Sequence, residues 1–441
     1  MNTEFRRNLW LELTLHRLIA MPAVLTLVFA LVYAANADDP SGGLAIGAAT
    51  FAGGLCGVWG ARAAADSVPE EVRLRTWDAQ RMSAIDPWAM AWGKLFGATA
   101  FAWYGGLICL AVLAGAAPAG WAHSGAKIAA LIAAGSLLAQ AAACLGGVAA
   151  ARKGYARQGA ISGWLLLFLL ILLGPGIAVF SAPERPAAWW GREYGLVDFA
   201  LASAAAFAAW ALFGVYRAMC TELQFRTTPW AYAAFALFLA TYLAGFGVPP
   251  GAGSGRAGDA LIVSGLLVSG ALTYLMLLSE QTGALVFRRV QIRLARGEPG
   301  RALEELPCWP VSLALAAGFC AAGMALLGKG GQAEDFLARV SLAPLPLFLL
   351  LLRDAAIYLG FSFARRPRRV DAVVLLYLAL LYLVVPWLLH AAELPGLAYL
   401  VLPPVFEQPG QSAIVIAVHA VIAAAFVAWR WRAFGQFAER P

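Results

Sequence analysis

Long apolar stretches separated by short polar segments set the pattern of this chain. A helix needs about 20 mainly apolar residues to cross a hydrocarbon layer roughly 30 Å thick. Twelve stretches meet this requirement, with ends defined to within several residues: Leu18–Ala35, Gly43–Ala63, Trp88–Ala114, Ala126–Ala149, Ile161–Phe180, Leu196–Tyr216, Trp230–Val248, Ala260–Ser279, Val311–Leu327, Leu342–Phe363, Val370–His390 and Ser412–Phe434. The pattern predicts an all-α polytopic membrane protein with about 12 transmembrane helices.

Composition strengthens this prediction. Of the 441 residues, 61% are hydrophobic and 13% are charged, whereas soluble domains have about 45–50% apolar and 25% charged residues. This balance excludes a disordered chain, a secreted disulfide scaffold and a soluble nucleic-acid binder. The six cysteines form no CxxC pair and the histidines stand alone, so we predict neither a disulfide framework nor a metal site.

The distribution of Lys and Arg predicts the orientation of the chain. If the N-terminus is cytoplasmic, the segments facing the cytoplasm hold 24 of the 32 basic residues and the outer segments hold 6. By the positive-inside rule, both termini are expected in the cytoplasm of a bacterial inner (plasma) membrane. The first stretch follows Arg6, Arg7 and Arg17 and lacks a small-residue cleavage site, so we expect a retained helix.

An internal repeat is indicated by similar positions at nearly equal offsets. Three pairs carry it: Glu12 and Glu222 (210 apart), Arg152 and Arg365 (213 apart), and Pro175 and Pro386 (211 apart). Repeats of membrane segments leave only weak traces in sequence. The offsets predict two six-span halves, residues 1–217 and 218–441.

In each half the longest segment expected in the cytoplasm follows the second span. It runs from Ala64 to Pro87 in the first half (the first connection) and from Glu280 to Pro310 in the second half (the second connection). In both connections apolar residues alternate with charged ones, which predicts an amphipathic helix at the membrane surface. A helix lying on anionic lipid, with its arginines against the head groups, explains the same pattern.

The first connection carries an ordered set of motifs. It contains an acidic pair, a Thr-hydrophobic-acidic step, a Ser near a Pro, and Gly-Lys at the opening of the third span, in the residues Glu70-Glu71, Thr76-Trp77-Asp78, Ser83 with Asp86-Pro87-Trp88, and Gly93-Lys94-Leu95. In order and spacing this segment resembles the cytoplasmic segment of ABC type-2 exporter permeases. The second half departs from the pattern, because Gln281-Thr282-Gly283 is similar to the start but no Gly-Lys opens the ninth span.

The resemblance implies that each connection is a coupling helix pressed into a groove of a separate cytoplasmic ABC ATPase. With both halves in one chain, two ATPase copies are expected. The docking residues it implies are Glu70, Glu71, Arg73, Thr76, Trp77, Asp78 and Arg81 on the first connection, and Arg288, Arg289 and Arg293 on the second, with Trp77 as the largest anchor. The chain has no G-x-x-x-x-G-K-[ST] phosphate loop, so we expect a permease subunit and not an enzyme, with ATP and Mg bound by the partner.

Charged and amide side chains also occur inside the apolar stretches. Arg353 and Asp354 lie near the middle of the tenth stretch, where a charge costs about 2.5–3.5 kcal/mol or more. The repeat offset places Gln140 at the matching position of the fourth stretch. These three residues are candidates for the translocation path, although a structural ion pair explains Arg353 and Asp354 equally well. Lys94 lies about one turn inside the third stretch, and its ammonium is expected to reach the surface by snorkelling.

Candidates for an outer gate come from the fifth span of each half and the loop that follows it. Pro175 and Pro386 interrupt these helices near their outer ends. The following loops are apolar and contain Trp189, Trp190 and Tyr399. In the resembled family this place holds short helices of the outer leaflet that close the exit.

The predicted function is the transmembrane subunit of an ABC exporter that moves an apolar or amphipathic substrate, with an ATPase and membrane lipids as partners and no nucleic acid. A major facilitator carrier also has six plus six spans, but it usually has a long loop between its halves, whereas Tyr216 to Trp230 is short. A multispan transferase that uses lipid-linked sugars is suggested by Asp38-Asp39. Such an enzyme usually has a sizeable outer domain, and this chain has no outer loop much longer than about 20 residues.

Overall fold

The computed structural model describes residues 2–83, 85–121, 123–152, 186–251, 254–280, 282–326, 340, 343–364 and 370–438. The chain forms two compact units. Unit 1 comprises Met1–Ala187 and Tyr194–Thr227, and unit 2 comprises Ala188–Glu193 and Thr228–Pro441. The duplication, with its junction after residue 217, stays a prediction.

Helices make up nearly all of the described structure. In unit 1 they are α1 (Thr3–Glu12), α2 (Leu15–Ala35), α3 (Pro40–Ala52), α4 (Gly60–Asp66), α5 (Pro69–Arg73), α6 (Trp77–Met82), α7 (Pro87–Trp92), α8 (Ala100–Ala116), α9 (Gly125–Arg152) and α10 (Leu196–Glu222). In unit 2 they are α11 (Trp230–Ala244), α12 (Ser254–Ser279), α13 (Ala284–Ala295), α14 (Pro299–Glu305), α15 (Trp309–Leu326), α16 (Pro344–Ser362), α17 (Val370–Ala379), α18 (Val385–Ala391), α19 (Pro395–Val401) and α20 (Pro409–Ala438). The strands found among the described residues are β1 (Pro186–Trp189) and β2 (Arg192–Gly195), which pair with each other.

The predicted architecture is confirmed: this is an all-α polytopic membrane protein. Among the described residues ten helices are long and apolar enough to cross a membrane, and a bent pair raises the number to eleven. Eleven of the predicted stretches coincide with these helices. The fifth stretch, Ile161–Phe180, lies outside the described residues. Helices are required here because a lipid-buried backbone must satisfy its own hydrogen bonds.

Small side chains allow the spans of unit 1 to pack closely. The buried face of α3 presents Ala45, Ala48 and Ala52 to a core that includes Cys109 and Leu113 of α8. Because alanine is small, two helix backbones can approach closely and gain van der Waals contacts. Such contacts stabilise helix packing in lipid, where the hydrophobic effect contributes little. Asp39 begins this span, since its Oδ1 accepts hydrogen bonds from the Gly42 amide and the Ser41 hydroxyl. The Asp38-Asp39 motif is therefore in part a helix cap.

Within the described residues, three spans contain a π-helical segment, at Gly53–Trp59, Gly93–Gly97 and Leu380–Val384. Such segments hold an extra residue per turn and interrupt the regular ladder of hydrogen bonds. In the third span the segment is followed by a bend of 57° between Pro87–Gly97 and Ala100–Ala116. The Thr99 hydroxyl donates to the Leu95 carbonyl at 2.6 Å, which satisfies an acceptor next to the bend.

The two connections differ from each other. The second connection forms the predicted amphipathic helix, α13, and continues into the shorter α14. The prediction of one such helix is wrong for the first connection, which folds as the short helices α5 and α6. The break occurs because Arg75, between them, adopts a φ of 61°, which no right-handed helix accommodates.

Candidate functional site

Lys94 is the centre of a buried network at the start of the third span. Its ammonium is 1% exposed, lies 3.0 Å from a carboxylate oxygen of Glu4 and forms an ion pair with Glu71. Arg7 Nη2 lies 2.9 Å from Glu4 and 2.5 Å from Glu71, and Gln80 Nε2 donates to Glu71 Oε1 at 2.8 Å. We call these five residues the Lys94 cluster. It joins α1, the first connection and the third span.

The expectation that Lys94 snorkels to the surface is wrong, because α1 folds over the start of the third span. Asn2 Nδ2 donates to the Ala89 carbonyl at 2.7 Å, and Asn8 Nδ2 donates to the Gly93 carbonyl at 3.1 Å. Gly93 permits this approach, since a Cβ there would lie 2.5 Å from Cγ of Glu4. The ammonium of Lys94 is therefore paired with the carboxylates of Glu4 and Glu71 inside the protein, and it does not extend to water.

Trp77 is also turned inward. Its side chain is 5% exposed, packs in the same core as Met90 and Leu95, and has the Lys94 ammonium 5.6 Å from its ring centroid. The large exposed apolar side chains of the first connection are instead Leu74 and Met82, at 61% and 83% exposure. Trp77 therefore packs the connection against the helices of unit 1. Leu74 and Met82 form the exposed apolar surface of the connection.

A second set of ion pairs fixes the far end of the first connection. Arg81 Nε donates to the Glu222 carbonyl at 3.0 Å, and Arg152 Nε lies 2.5 Å from Glu222 Oε1. Glu222 is the last residue of α10 and Arg152 is the last of α9. We call these three residues the Glu222 clamp. The first connection is thus attached to unit 1 at two separate points.

The other predicted docking residues of the first connection lie on its exposed side. Glu70 and Arg73 pair with each other at 2.9 Å, and both side chains are more than half exposed. Thr76 and Asp78 are exposed as well. Their roles in binding a partner stay predictions.

The second connection is closed by its own ion pairs. Arg293 contacts Glu298 at 3.0 Å and Glu305 at 3.1 Å, which folds α14 back onto the end of α13. The hydrogen bond from Arg293 lowers the pKa of Glu298 below its ordinary value, so this pair is kept at neutral pH. In the described part of the chain Arg288 and Arg289 enter no ion pair. Their guanidinium groups are therefore the unpaired positive charges on α13.

Gln140 fastens three spans of unit 1 together. It is fully buried, its Oε1 accepts from Trp103 Nε1 at 2.9 Å, and its Nε2 donates to the Cys56 carbonyl at 2.8 Å. Cys56 belongs to the π-helical segment Gly53–Trp59. Gly60 leaves room for this amide, because a Cβ at that position would collide with it. The predicted role of Gln140 in a translocation path stays a prediction.

Arg353 and Asp354 form a buried polar group in unit 2, and both side chains are 2% exposed. Arg353 Nε donates to Asp354 Oδ1 at 2.9 Å. Asp354 Oδ2 accepts from the hydroxyls of Tyr274 and Tyr382, both at 2.7 Å. The guanidinium carbon lies 4.9 Å from the centroid of the Tyr382 ring. We call these four residues the Arg353 cluster.

Sequence reasoning identified Arg353 and Asp354 but missed both tyrosines. A tyrosine hydroxyl inside an apolar stretch needs an acceptor when it is buried. Tyr274 and Tyr382 are in the eighth and eleventh predicted stretches, and that need was the signal available. What the sequence does not show is that the two stretches meet at Asp354.

The outer-gate candidates that the structure describes lie in three places in unit 2. Trp189 Nε1 donates to the Tyr242 carbonyl at 2.9 Å, and the Trp190 amide donates to the Gly245 carbonyl at 2.9 Å, so both residues pack on the end of α11. Pro386 is buried near the start of α18, and Tyr399 is exposed on α19. Pro175 lies outside the described residues. Their gating role stays a prediction.

No family model, no curated protein and no solved structure matches this chain. Within the described ranges no group of three or more His, Cys, Asp and Glu side chains is arranged to hold a metal ion. The polar clusters and the two connections are therefore the features from which a function is inferred.

Replacing Lys94 by Met should lower the free energy of unfolding by about 3 kcal/mol, because Glu4 and Glu71 lose the buried ammonium that they share and keep only the more exposed Arg7. Arg73→Gln, which breaks an exposed pair, should cost less than about 1 kcal/mol. The measurement is unfolding in mixed detergent micelles. In the double variant Lys94→Met/Glu71→Gln the loss should be smaller than the sum of the two single losses. Strictly additive losses would show that the two side chains do not interact.

Replacing Gln140 by Leu should cost about 2 kcal/mol in the same measurement, because the Trp103 N–H and the Cys56 carbonyl lose their partner. Gly60→Ala should act in the same direction by displacing the Gln140 amide. Gln411→Leu is the matched control, since Gln411 is exposed. Equal stability of the Gln140 and Gln411 variants would show that Gln140 does not fasten the spans.

Proposed function

We propose that the chain is the transmembrane subunit of an ATP-binding-cassette exporter in a bacterial inner membrane. Both termini lie in the cytoplasm, two six-span halves share one chain, and a pair of separate ATPase subunits supplies the energy. The substrate is apolar or amphipathic. The motifs of the first connection and the 24 to 6 distribution of basic residues support this proposal.

The attachment of the first connection is the observation that carries the proposal. A segment that receives force from a partner needs firm contact with the membrane helices and an outer surface free to bind. The Lys94 cluster and the Glu222 clamp provide the contact through buried or half-buried ion pairs. Leu74 and Met82 provide exposed apolar side chains on the same connection. Partner-binding surfaces commonly combine apolar anchors with charges that set the register.

These contacts define how movement reaches the membrane. When the ATPases close on ATP, they shift the first connection. Glu71 then pulls on Lys94 at the start of the third span, and Arg81 pulls on Glu222 at the end of α10. The third span is already bent by 57° after its π-helical segment. The force on Lys94, at the start of this span, therefore changes the angle at that bend. Two spans of unit 1 therefore move with the partner.

The docking surface is tested by replacing Leu74 and Met82 with Ser. We expect the ATPase that copurifies in mild detergent to fall about tenfold or more, because loss of an interface anchor costs about 2 kcal/mol. Leu394→Ser removes another exposed leucine, from a loop proposed to face outside, and it should leave copurification unchanged.

Arg288→Glu/Arg289→Glu tests the second connection in the same assay. It should weaken binding more at low salt, where exposed charges are less screened. If the wild type retains no ATPase, or if every variant retains the same amount, the connections are helices on the lipid surface. A carrier or a transferase then becomes the better proposal.

The topology is tested with reporter fusions after Gly191 and after Gln408. Both should read outside, since the adjoining loops hold few basic residues. A fusion after Arg296 is the matched control and should read inside. A cytoplasmic signal at either of the first two positions contradicts the proposed orientation.

A further inference from the structure

We propose that Arg353 binds the anionic oxygen group of the transported molecule, a phosphate or a carboxylate on an apolar tail, in the middle of the membrane. This inference rests on the proposed exporter function, and it narrows the substrate to an anionic amphipath. It is carried by the unused hydrogen-bond donors of Arg353, by the way its neighbours hold it, and by its depth in the helix.

Arg353 has more donors than its surroundings accept. A guanidinium has five N–H donors, and among the described residues only Nε has a hydrogen-bond partner. Nη2 lies 2.9 Å from Asp354 Oδ1 as an ion pair without the alignment of a hydrogen bond, and Nη1 makes no hydrogen bond to an acceptor in the described part. The side chain is nevertheless 2% exposed. Buried donors without an acceptor are costly, so these N–H groups indicate a ligand that brings oxygen atoms.

The neighbouring side chains hold the guanidinium, and they leave Nη1 and Nη2 without a hydrogen-bond partner. Asp354 Oδ2 is occupied by the hydroxyls of Tyr274 and Tyr382, and Oδ1 faces Arg353. The Tyr382 ring lies against the guanidinium face. With its position fixed in this way, Arg353 keeps N–H donors on Nη1 and Nη2 that no acceptor in the described part uses. Donors of a planar guanidinium suit the oxygens of a carboxylate or a phosphate.

The depth of Arg353 favours a transported molecule over a lipid of the bilayer. It lies nine residues from each end of α16, which spans Pro344–Ser362. At 1.5 Å per residue this is about 14 Å from either end. Lipid phosphates lie outside a hydrocarbon core that is about 30 Å thick, so they remain about 15 Å from its middle. An anionic group that meets Arg353 is therefore on its way across the membrane.

Asp354 keeps the binding moderate. Together Arg353 and Asp354 have no net charge, so an entering anion meets oriented N–H donors without a full uncompensated positive charge. A translocation site must bind its cargo well enough to admit it and weakly enough to release it. The ion pair fulfils both requirements: Arg353 recognises the anion, and Asp354 limits its affinity.

The test is binding of chemically matched probes to the purified full-length chain in the neutral detergent dodecyl maltoside. Dodecyl phosphate and dodecanoate carry the proposed group, dodecanol has the same tail without charge, and inorganic phosphate has the charge without the tail. Ligand-dependent thermal stabilisation gives the affinity of each. We expect dodecyl phosphate and dodecanoate to bind at least about tenfold more tightly than dodecanol or inorganic phosphate.

Variants connect this preference to Arg353. Arg353→Lys keeps the charge but loses the planar guanidinium. It should weaken the binding of dodecyl phosphate about tenfold. Arg353→Gln should abolish the preference over dodecanol. Arg430→Gln is the matched control, because Arg430 also lies over aromatic rings, 4.9 Å from Trp429, but outside the Arg353 cluster. Size-exclusion chromatography and circular dichroism verify folding, and Arg353→Lys decides the question if the Gln variant does not fold.

Two results would overturn the inference. One is an unchanged preference for the anionic probes in Arg353→Lys and Arg353→Gln. The other is equal binding of dodecyl phosphate and either dodecanol or inorganic phosphate by the wild type. If the ATPase copurifies and the anionic preference is missing, only the Arg353 site is wrong. If the anionic preference is present and no ATPase copurifies, the site stands and the ATP-driven export is wrong.

Discussion

A polar group buried among apolar helices must find a partner inside the protein, and this constraint organises the described structure. Lys94, Gln140 and Asp354 all meet it with side chains from other segments. Each of these three polar groups also has a contact in a π-helical segment of the described structure: Lys94, Cys56 and Tyr382 lie within such segments. A π-helical turn shifts the register of a helix, so it can direct a side chain or a carbonyl toward a partner that a regular helix would miss.

The same constraint connects structure to the proposed mechanism. Breaking a buried ion pair is costly because it leaves an uncompensated buried charge, so the segments that the pair joins move together. Lys94 joins α1, the first connection and the third span in this way. In contrast, exposed ion pairs such as Glu70 with Arg73 contribute little to stability. The exposed side of the first connection can thus adapt to a partner, while its buried side stays attached to the helices.

The spans were predictable because each one satisfies its backbone by itself, so the length of an apolar stretch is sufficient. The clusters were not, because they depend on residues far apart in sequence. Nothing near Lys94 indicates that Glu4 and Glu71 cover it. Trp77 was expected as the largest docking anchor of the first connection, and its side chain is buried instead. The break at Arg75 was missed for a related reason: an alternating pattern does not reveal a left-handed residue. Arg353 could be chosen as a candidate from the sequence, since a charge in the middle of an apolar stretch is rare. Its role in a translocation path stays a prediction.

The central claim concerns the first connection. Its buried ion pairs attach it to the membrane helices, and an ATPase binds its exposed side in the cytoplasm. Site-specific photo-crosslinking in living cells tests it most directly, with a photoreactive residue in place of the exposed Met82. We expect one crosslinked product, which mass spectrometry identifies as the chain joined to a protein that carries a phosphate-binding loop. The same residue in place of Leu394 should give no such product. A crosslink from position 82 to lipid alone would show that the first connection lies on the membrane surface and binds no ATPase.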